Sequence, residues 1–420
     1  MMDRAARTGT GALMMDRAAR AIAECRHIGS MTEEPGRITR RFLTPPVYEV
    51  HRHLRTRMEA LGMSVQLDAA GNLRGLWQPP HATGKRLVLG SHIDSVPDAG
   101  AFDGVLGVTM ALEWVSIAHD LSLSLPIEVI AFSEEEGVRY GLPYLGSRAV
   151  AGRFDPSLLA LKDAGNISVE AAMRAFGLDP ARIGEAVLDS NALCFVEIHI
   201  EQGPILEAEN LSVAAVTAIV GQTRLMLALT GQANHAGTTP MPLRRDALAA
   251  AAEWITAVEA LARRTEGLSA TVGRITVEPN AGNVVPGSAR LSLDVRHCHD
   301  EVRISAVEQL LASAAAIAER RGLKLEHAGQ LEQASVPMDE RLTALLGVAI
   351  EAAGFPLKRM PSGAGHDAIV LAGILPTAML FLRSPGGISH HPDESVRQED
   401  VLAALDVGRE FLLRLDADVR

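Results

Sequence analysis

Cysteine is scarce in this chain: Cys25, Cys194 and Cys298 are the only three among 420 residues, far apart and odd in number. They supply neither a disulfide framework nor the paired spacing of a zinc finger, and a reducing cytoplasm is the compartment they suit. Positive charge is also short, with 40 Lys and Arg against 51 Asp and Glu and a formal net charge of -11. Polyphosphate backbones select basic faces, so a nucleic-acid partner is not expected. No apolar run approaches the ~18 residues of a membrane span, which sets the membrane aside as well. The N-terminal stretch MMDRAARTGTGALMMDRAAR lacks the apolar core and cleavage site of a secretory signal. It repeats itself, with MMDRAAR at Met1–Arg7 and again at Met14–Arg20. One short duplication does not make a solenoid, and the segment reads as a helix-prone extension with no part in the chemistry.

What is present points to two domains. The length suffices for both, and 47% hydrophobic content is ordinary for a protein with a sizeable core. After a loop and an amphipathic helix over 34–63, SVQLDAAGNLRGLW reads as two short strands around a turn. RLVLGSHIDS, PIEVIAFSEEE and ALCFVEIHIEQGP then read as strands that alternate with helices. That pattern predicts an open mixed α/β sheet. Between residues 213 and 329 it changes to two strand-helix-strand halves, a βαββαβ (ferredoxin-like) domain inserted into the first. The expected organisation is a first domain over 1–212 and 330–420, with the inserted domain over 213–329; the resemblance described below implies that the first binds metal and the second serves as lid and dimerisation domain.

In an open α/β sheet ligands bind beyond the carboxyl ends of the strands. Four apolar strands here end in groups able to hold a metal. LVLGSHID delivers His92 and Asp94, with Asp103 close behind; VIAFSEEE delivers Glu134, Glu135 and Glu136; CFVEIHIEQ delivers His199. AMLFLRSPGGISHHPDE leads through a glycine loop to His390 and His391. An acidic triplet alone is ordinarily a solvated loop, and a lone His at a strand end is ordinarily a hydrogen-bonded rim residue. Four strands in agreement change that. Imidazole with carboxylate suits zinc, manganese, cobalt or nickel. The ligands outnumber what one tetrahedral ion needs, so a pair of divalent ions sharing a carboxylate is the natural reading.

The ordered motifs GSHIDSVPDAGAFDG, SEEEG, HIEQG, NHAGTTPM, NVVPG, DVRH, SGAGHDA and GISHHP resemble the dinuclear-metal amidohydrolases of the peptidase M20 group. The nearest subgroup is that of the allantoate amidohydrolases and N-carbamoyl-L-amino acid hydrolases. The resemblance runs from about Gly29 to the C-terminus. It implies His92 and His199 as ligands of one ion, Glu136 and His390 of the other, and Asp103 as the bridge. It makes Asp94 the group that orients His92 and Glu135 the general base. Glu134 matches no role and reads as a loop charge; His390 is preferred over His391 by motif order.

From the inserted domain the resemblance implies His235 as the oxyanion donor, reaching the partner subunit's site in a homodimer, and Arg296 as the fork that takes a substrate carboxylate. Asn283 and Gln202 would hydrogen-bond the same substrate, and backbone amides near Gly363 to Gly365 are on offer. The His297-x-His299 pair has no acidic strand end beside it and is not read as a metal site. Closure of the lid about hinges near Val213 and Gly329 would assemble the site. The expected activity is hydrolysis of a ureido C–N bond with release of ammonia and carbon dioxide. VTAIVGQTRL and NHAGTTPM favour allantoate, a purine catabolite, over an N-carbamoyl-L-amino acid. An M20-type dipeptidase or aminoacylase, or a metal-binding protein without catalysis, are the further alternatives.

Overall fold

The computed structural model describes residues 2–82 and 84–420, with the backbone alone for residues 2–10. Two compact units emerge, Met1–Thr217 with Met338–Arg420, and Ala218–Pro337. The first begins with α1 (Met2–Gly29), α2 (Pro45–Ala60), the hairpin β1 (Ser64–Leu67) and β2 (Leu73–Trp77), then β3 (Arg86–His92), α3 (Val105–Asp120), β4 (Ile127–Phe132), β5 (Ala192–Ile200) and β6 (Val213–Ile219). The second contains β7 (Gly221–Thr230), α4 (Ala247–Arg264), β8 (Ile275–Glu278), β9 (Ser288–His297), α5 (Asp300–Arg320) and β10 (Lys324–Gln333). The first unit then resumes with α6 (Glu340–Ala352), β11 (Thr377–Leu382) and α7 (Gln398–Val419).

The nine-stranded sheet runs β1-β2-β4-β3-β5-β11-β6, with the short strands Val336–Pro337 and Arg359–Ser362 alongside β6. Its centre, β4-β3-β5-β11, is parallel throughout. Every residue of β3, β4 and β11 is buried, as continuous apolar runs covered on both faces require. Because these four strands point the same way, their carboxyl ends meet along one edge. That edge is where the sequence places its polar residues.

Helix α1 is part of this unit's core. Met14, Ala18, Ala21, Ile22, Cys25 and Ile28 recur at helical spacing and are buried in the same cluster as Trp114 of α3 and Leu412 of α7. Arg17 donates to Ser116 at 3.1 Å and to Asp120 at 2.6 Å. The second MMDRAAR copy is therefore a packing segment, which corrects its reading as an extension. The local repeat was visible, whereas its partners lie about a hundred residues away. Of the first copy, Met1 and the side chains of 2–7 lie outside the described residues.

The second unit's strands lie in the order β8-β9-β7-β10, antiparallel, with Ser269–Thr271 beside β9. Alternate residues Leu225, Leu227, Leu229, Leu291, Leu293 and Val295 form a separate core with Trp254 and Leu310, the period-two pattern of a sheet with one covered face. The chain crosses between units at 217/218 and 337/338, several residues beyond the bounds of the pattern change at 213 and 329. Val213–Ala215 pair with β11, and β10 runs along β7 as far as Gln333. The two crossings are side by side, with the Met338 N–H donating to the Thr217 carbonyl at 3.0 Å. No helix among the described residues is long and apolar enough to cross a membrane.

Candidate metal centre

His92 is the last residue of β3, and His199 is the last but one of β5. Asp103 comes from the loop that leads into α3. The next residue, Gly104, has φ 66 and lies against the His92 ring, where any side chain would collide. Asp103 Oδ1 is 3.3 Å from His199 Nε2 and 3.7 Å from His92 Nε2, and these two nitrogens are 3.5 Å apart. Its other oxygen is 3.0 Å from His390 Nε2, which is 3.5 Å from Glu136 Oε1. One carboxylate thus stands between two donor sets, His92 with His199 and Glu136 with His390. On the far side of each buried ring, Nδ1 faces a backbone carbonyl, of Asp94 at 3.1 Å for His92 and of Ile200 at 2.9 Å for His199. That places the ring proton on Nδ1 and leaves each Nε2 lone pair facing the site.

The three consecutive glutamates have three environments. Glu134 adopts φ 55 and turns inward. Its oxygens accept the N–H of Phe42 and of Arg139, each at 3.1 Å. The loop-charge reading is corrected here: this side chain is fully buried and ties the backbone at Phe42 to its own loop at Arg139. Burial, followed by the nearby Asp94, pushes its carboxyl up to about 8. The N–H groups of Glu135 and Glu136 both donate to Asp94, to Oδ1 and Oδ2 respectively, each at 3.0 Å. Asp94 holds these amides more closely than the His92 ring, whose Nδ1 is 3.5 Å from Oδ1.

Electrostatically the site is crowded with acid. Burial raises Glu135 well above the usual carboxylate range, with Glu136, Asp367 and Asp94 adding to it and His92 opposing. Burial and then Asp103 push Glu136 up to about 7. The hydrogen bond to Asp103 lifts His390 to about 9, whereas burial lowers His199 to about 4. Asp103 Oδ1 and Gln202 Oε1 are buried with no hydrogen-bond partner among the described residues. Unpartnered oxygen, free imidazole nitrogen and surplus carboxylate are what divalent cations relieve. The residues present fit a metal centre.

Gln202 joins the same group. Its Nε2 donates to Asp103 Oδ2 at 3.1 Å and to Ser389 Oγ at 3.2 Å, and is 3.4 Å from His390 Nε2. His391 is exposed, its Nδ1 accepting the Asp393 N–H at 3.2 Å. In the SGAGHDA loop the Ala364 N–H is taken by Ser362 Oγ at 3.2 Å. Within the second unit, Asn234–His235 pairs with Val284–Val285, so His235 and Asn283 are neighbours and the Ala236 N–H donates to the Asn283 carbonyl at 2.9 Å. His235 Nδ1 accepts from Gly237 and Thr238 at 3.0 and 3.2 Å. Arg296 makes two bonds to Asp294, at 2.9 and 3.1 Å. His297 is engaged at both nitrogens by the backbone of His299 and Glu266, in keeping with a structural role.

Sequence reasoning passed over Glu197, His366 and Glu394. Glu197 accepts from Ser91 Oγ at 3.1 Å and the Ala368 N–H at 2.9 Å. The His366 ring stands edge-on to His199 at 4.4 Å, with its Nε2 2.8 Å from Ser362 Oγ. A signal existed for the first: Glu197 lies two residues before His199 in an otherwise apolar strand, on the same face.

Residues 88–414 match the model of peptidase family M20/M25/M40. The chain is similar to an N-carbamoyl-L-amino acid amidohydrolase of Geobacillus stearothermophilus, 38% identical over 90% of this chain and 94% of that protein. It is also similar to the allantoate amidohydrolase of Bacillus subtilis (strain 168), 34% identical over 87% of this chain and 90% of the other. Among solved structures, an amidase of the hydantoinase/carbamoylase family from Burkholderia multivorans superposes with a TM-score of 0.89 at 32% identity, covering 94% of this chain and 97% of that one.

Proposed function

The chain belongs to peptidase family M20/M25/M40, in the subgroup of allantoate and N-carbamoyl-L-amino acid amidohydrolases, and from that premise we propose a metal-dependent amidohydrolase that cuts the terminal ureido C–N bond of a small ureido acid, allantoate in the first place. The observation that carries this reading is Asp103 set between two imidazole and carboxylate donor sets at the carboxyl edge of the parallel strands. His92 and His199 would hold one divalent ion, Glu136 and His390 a second, with Asp103 shared, and manganese or zinc suits these donors best, with cobalt or nickel also compatible. Such ions supply Lewis-acid polarisation of the ureido carbonyl and a lowered pKa for an attacking water.

The chain's own residues do the rest. Glu135 removes the proton of the attacking water and delivers it to the departing nitrogen; the hydrogen bond that its backbone N–H donates to Asp94 Oδ1 holds the segment from which that carboxylate extends. His235 accepts two N–H groups at Nδ1, so its proton sits on the exposed Nε2, ready to donate to a developing oxyanion. One such donor is worth about 3 kcal/mol. Arg296, held flat by its two bonds to Asp294, pairs with the substrate carboxylate. Gln202 and Asn283 complete the hydrogen bonds to substrate. The second unit is assigned the roles of lid and of dimerisation surface in a homodimer.

The second reading, an N-carbamoyl-L-amino acid hydrolase, is favoured by the relative at 38% identity. Ammonia release by the purified, manganese-loaded protein, offered allantoate and a panel of N-carbamoyl-L-amino acids in parallel, separates the two. Glu135→Gln is the control and should abolish turnover of whichever class is cleaved. Turnover of neither by a metal-loaded parent protein would sink the ureido reading.

A further inference from the structure

Glu394 follows the ligand His390 by four residues, in the turn that the Glu394 N–H closes on the His391 carbonyl at 3.0 Å. Its side chain runs back to the opposite loop. Oε1 accepts two successive backbone donors there, the N–H of Phe102 at 2.9 Å and of Asp103 at 3.0 Å. Oε2 accepts Ser389 Oγ at 3.1 Å, next to His390. The same serine receives Gln202 Nε2 and stands 3.5 Å from Asp103 Oδ2. Only 5% of Glu394 is exposed, and Gly100 lies so close to its Cβ that any side chain at position 100 would displace it. Space has been cleared for this carboxylate on one loop, and donors have been aimed at it from both.

We propose that Glu394 is a positioning residue that sets the spacing between Asp103 and His390, and thereby the geometry of the metal position they share with Glu136. The inference rests on the metal-centre reading above. Two loops 291 residues apart in sequence must arrive within about 3 Å of each other, and each is an irregular segment with no strand or helix ladder to fix that distance. A side chain with three bonds, two on one loop and one on the other, fixes the gap before any ion arrives. Reach, not charge, is then the property that matters.

The test compares Glu394→Gln with Glu394→Asp in the full chain, stripped of metal and titrated with Co2+. Calorimetry and the d–d absorption of the cobalt ions are the readouts, with thermal melts as a check on folding. Glutamine keeps the length: its amide oxygen accepts both N–H groups and its nitrogen donates to Ser389 Oγ, so the affinity of the ion held by Asp103, Glu136 and His390 stays near the parent value. Aspartate keeps the charge but is one methylene short, and weakens that ion by about 10- to 100-fold, the usual cost of losing a group that orients a ligand. The cobalt spectrum of that ion should change as well. Aspartate matching the parent, or glutamine falling below aspartate, would overturn the proposal. If the aspartate variant does not fold, Ser389→Ala removes one of the three bonds and should weaken the same ion more modestly; no change there also overturns it. A parent that binds no divalent ion defeats this inference together with the metal reading. A parent that binds cobalt, with the variants' affinities falling as expected, yet cleaves neither substrate class defeats the substrate assignment alone.

Discussion

Replacing Glu113 by glutamine should destabilise the first unit without touching the metal centre. Glu113 lies on α3 with a fully buried side chain and receives Arg20 through two bonds, at 2.7 and 2.6 Å, and Arg57 at 2.8 Å; Arg17 is 3.5 Å away. One carboxylate therefore ties three guanidinium groups, from α1 and α2, onto the helix that follows Asp103. Removing one partner of a buried pair costs about 3–5 kcal/mol, because the remaining charge is stranded. Two features pull the value to the low end: Arg20 is 44% exposed and can turn to water, and Arg17 keeps Asp120 at 2.6 Å. About 3 kcal/mol, at roughly 2 °C per kcal/mol for a unit of this size, lowers the melting temperature by roughly 6 °C. Circular dichroism melts of parent, Glu113→Gln and Arg20→Gln would measure it. The arginine variant should lose much less, as a half-exposed partner does. A Glu113→Gln melt that coincides with the parent would refute the claim that this hub anchors α1.

Glu134→Ala leaves the Phe42 and Arg139 N–H groups without their acceptor, for a loss of about 2–4 kcal/mol, and turnover should fall as Glu135 loses its support; equal stability and rate in the variant would count against the staple. His51 is buried edge-on to Phe176 at 5.7 Å, and burial lowers it to about 4. The unfolded chain therefore binds the proton first, so between pH ~6.5 and ~4 stability falls as pH falls, by about 3 kcal/mol in all. The parent should lose that much relative to His51→Phe in urea melts across this window; parallel curves would contradict it. Burial pushes Cys25 and Cys194 up to about 12, while Cys298 is half-buried. Iodoacetamide on the native protein should label Cys298 first, and mass spectrometry would detect any other order.

The features legible in the sequence were those with a local signature. Apolar runs ending in His92, His199 and the glutamates announced buried strands and a ligand edge, because a buried strand has little other reason to stop in charge. The βαββαβ pattern announced the second unit for the same reason. Groups whose meaning depends on distant partners stayed hidden. Glu134 and Glu394 look like surface acid until Phe42 and Asp103 arrive beside them. The duplicated MMDRAAR carries no hint of Ser116 or Asp120, and Asp94 shows its contact with His92 by spacing but not its hold on the Glu135 and Glu136 amides. The crossings lie beyond the bounds of the pattern change because strand pairing runs through residues 213 and 329.

The adjacent crossings at Thr217 and Met338 bear on ancestry and engineering. A segment that departs and returns within one hydrogen bond leaves its host's strand order intact: the first unit's main core is built from residues outside 218–337, with Val336–Pro337 paired to Ile219 and Ala218 at the edge of its sheet. Deleting residues 220–335, which keeps that edge pair, and joining the flanks by a short turn should yield a minimal metal-binding scaffold without His235, Asn283 and Arg296, and the excised piece, with its own core, should be expressible alone or transferable to another host at an equally narrow gap.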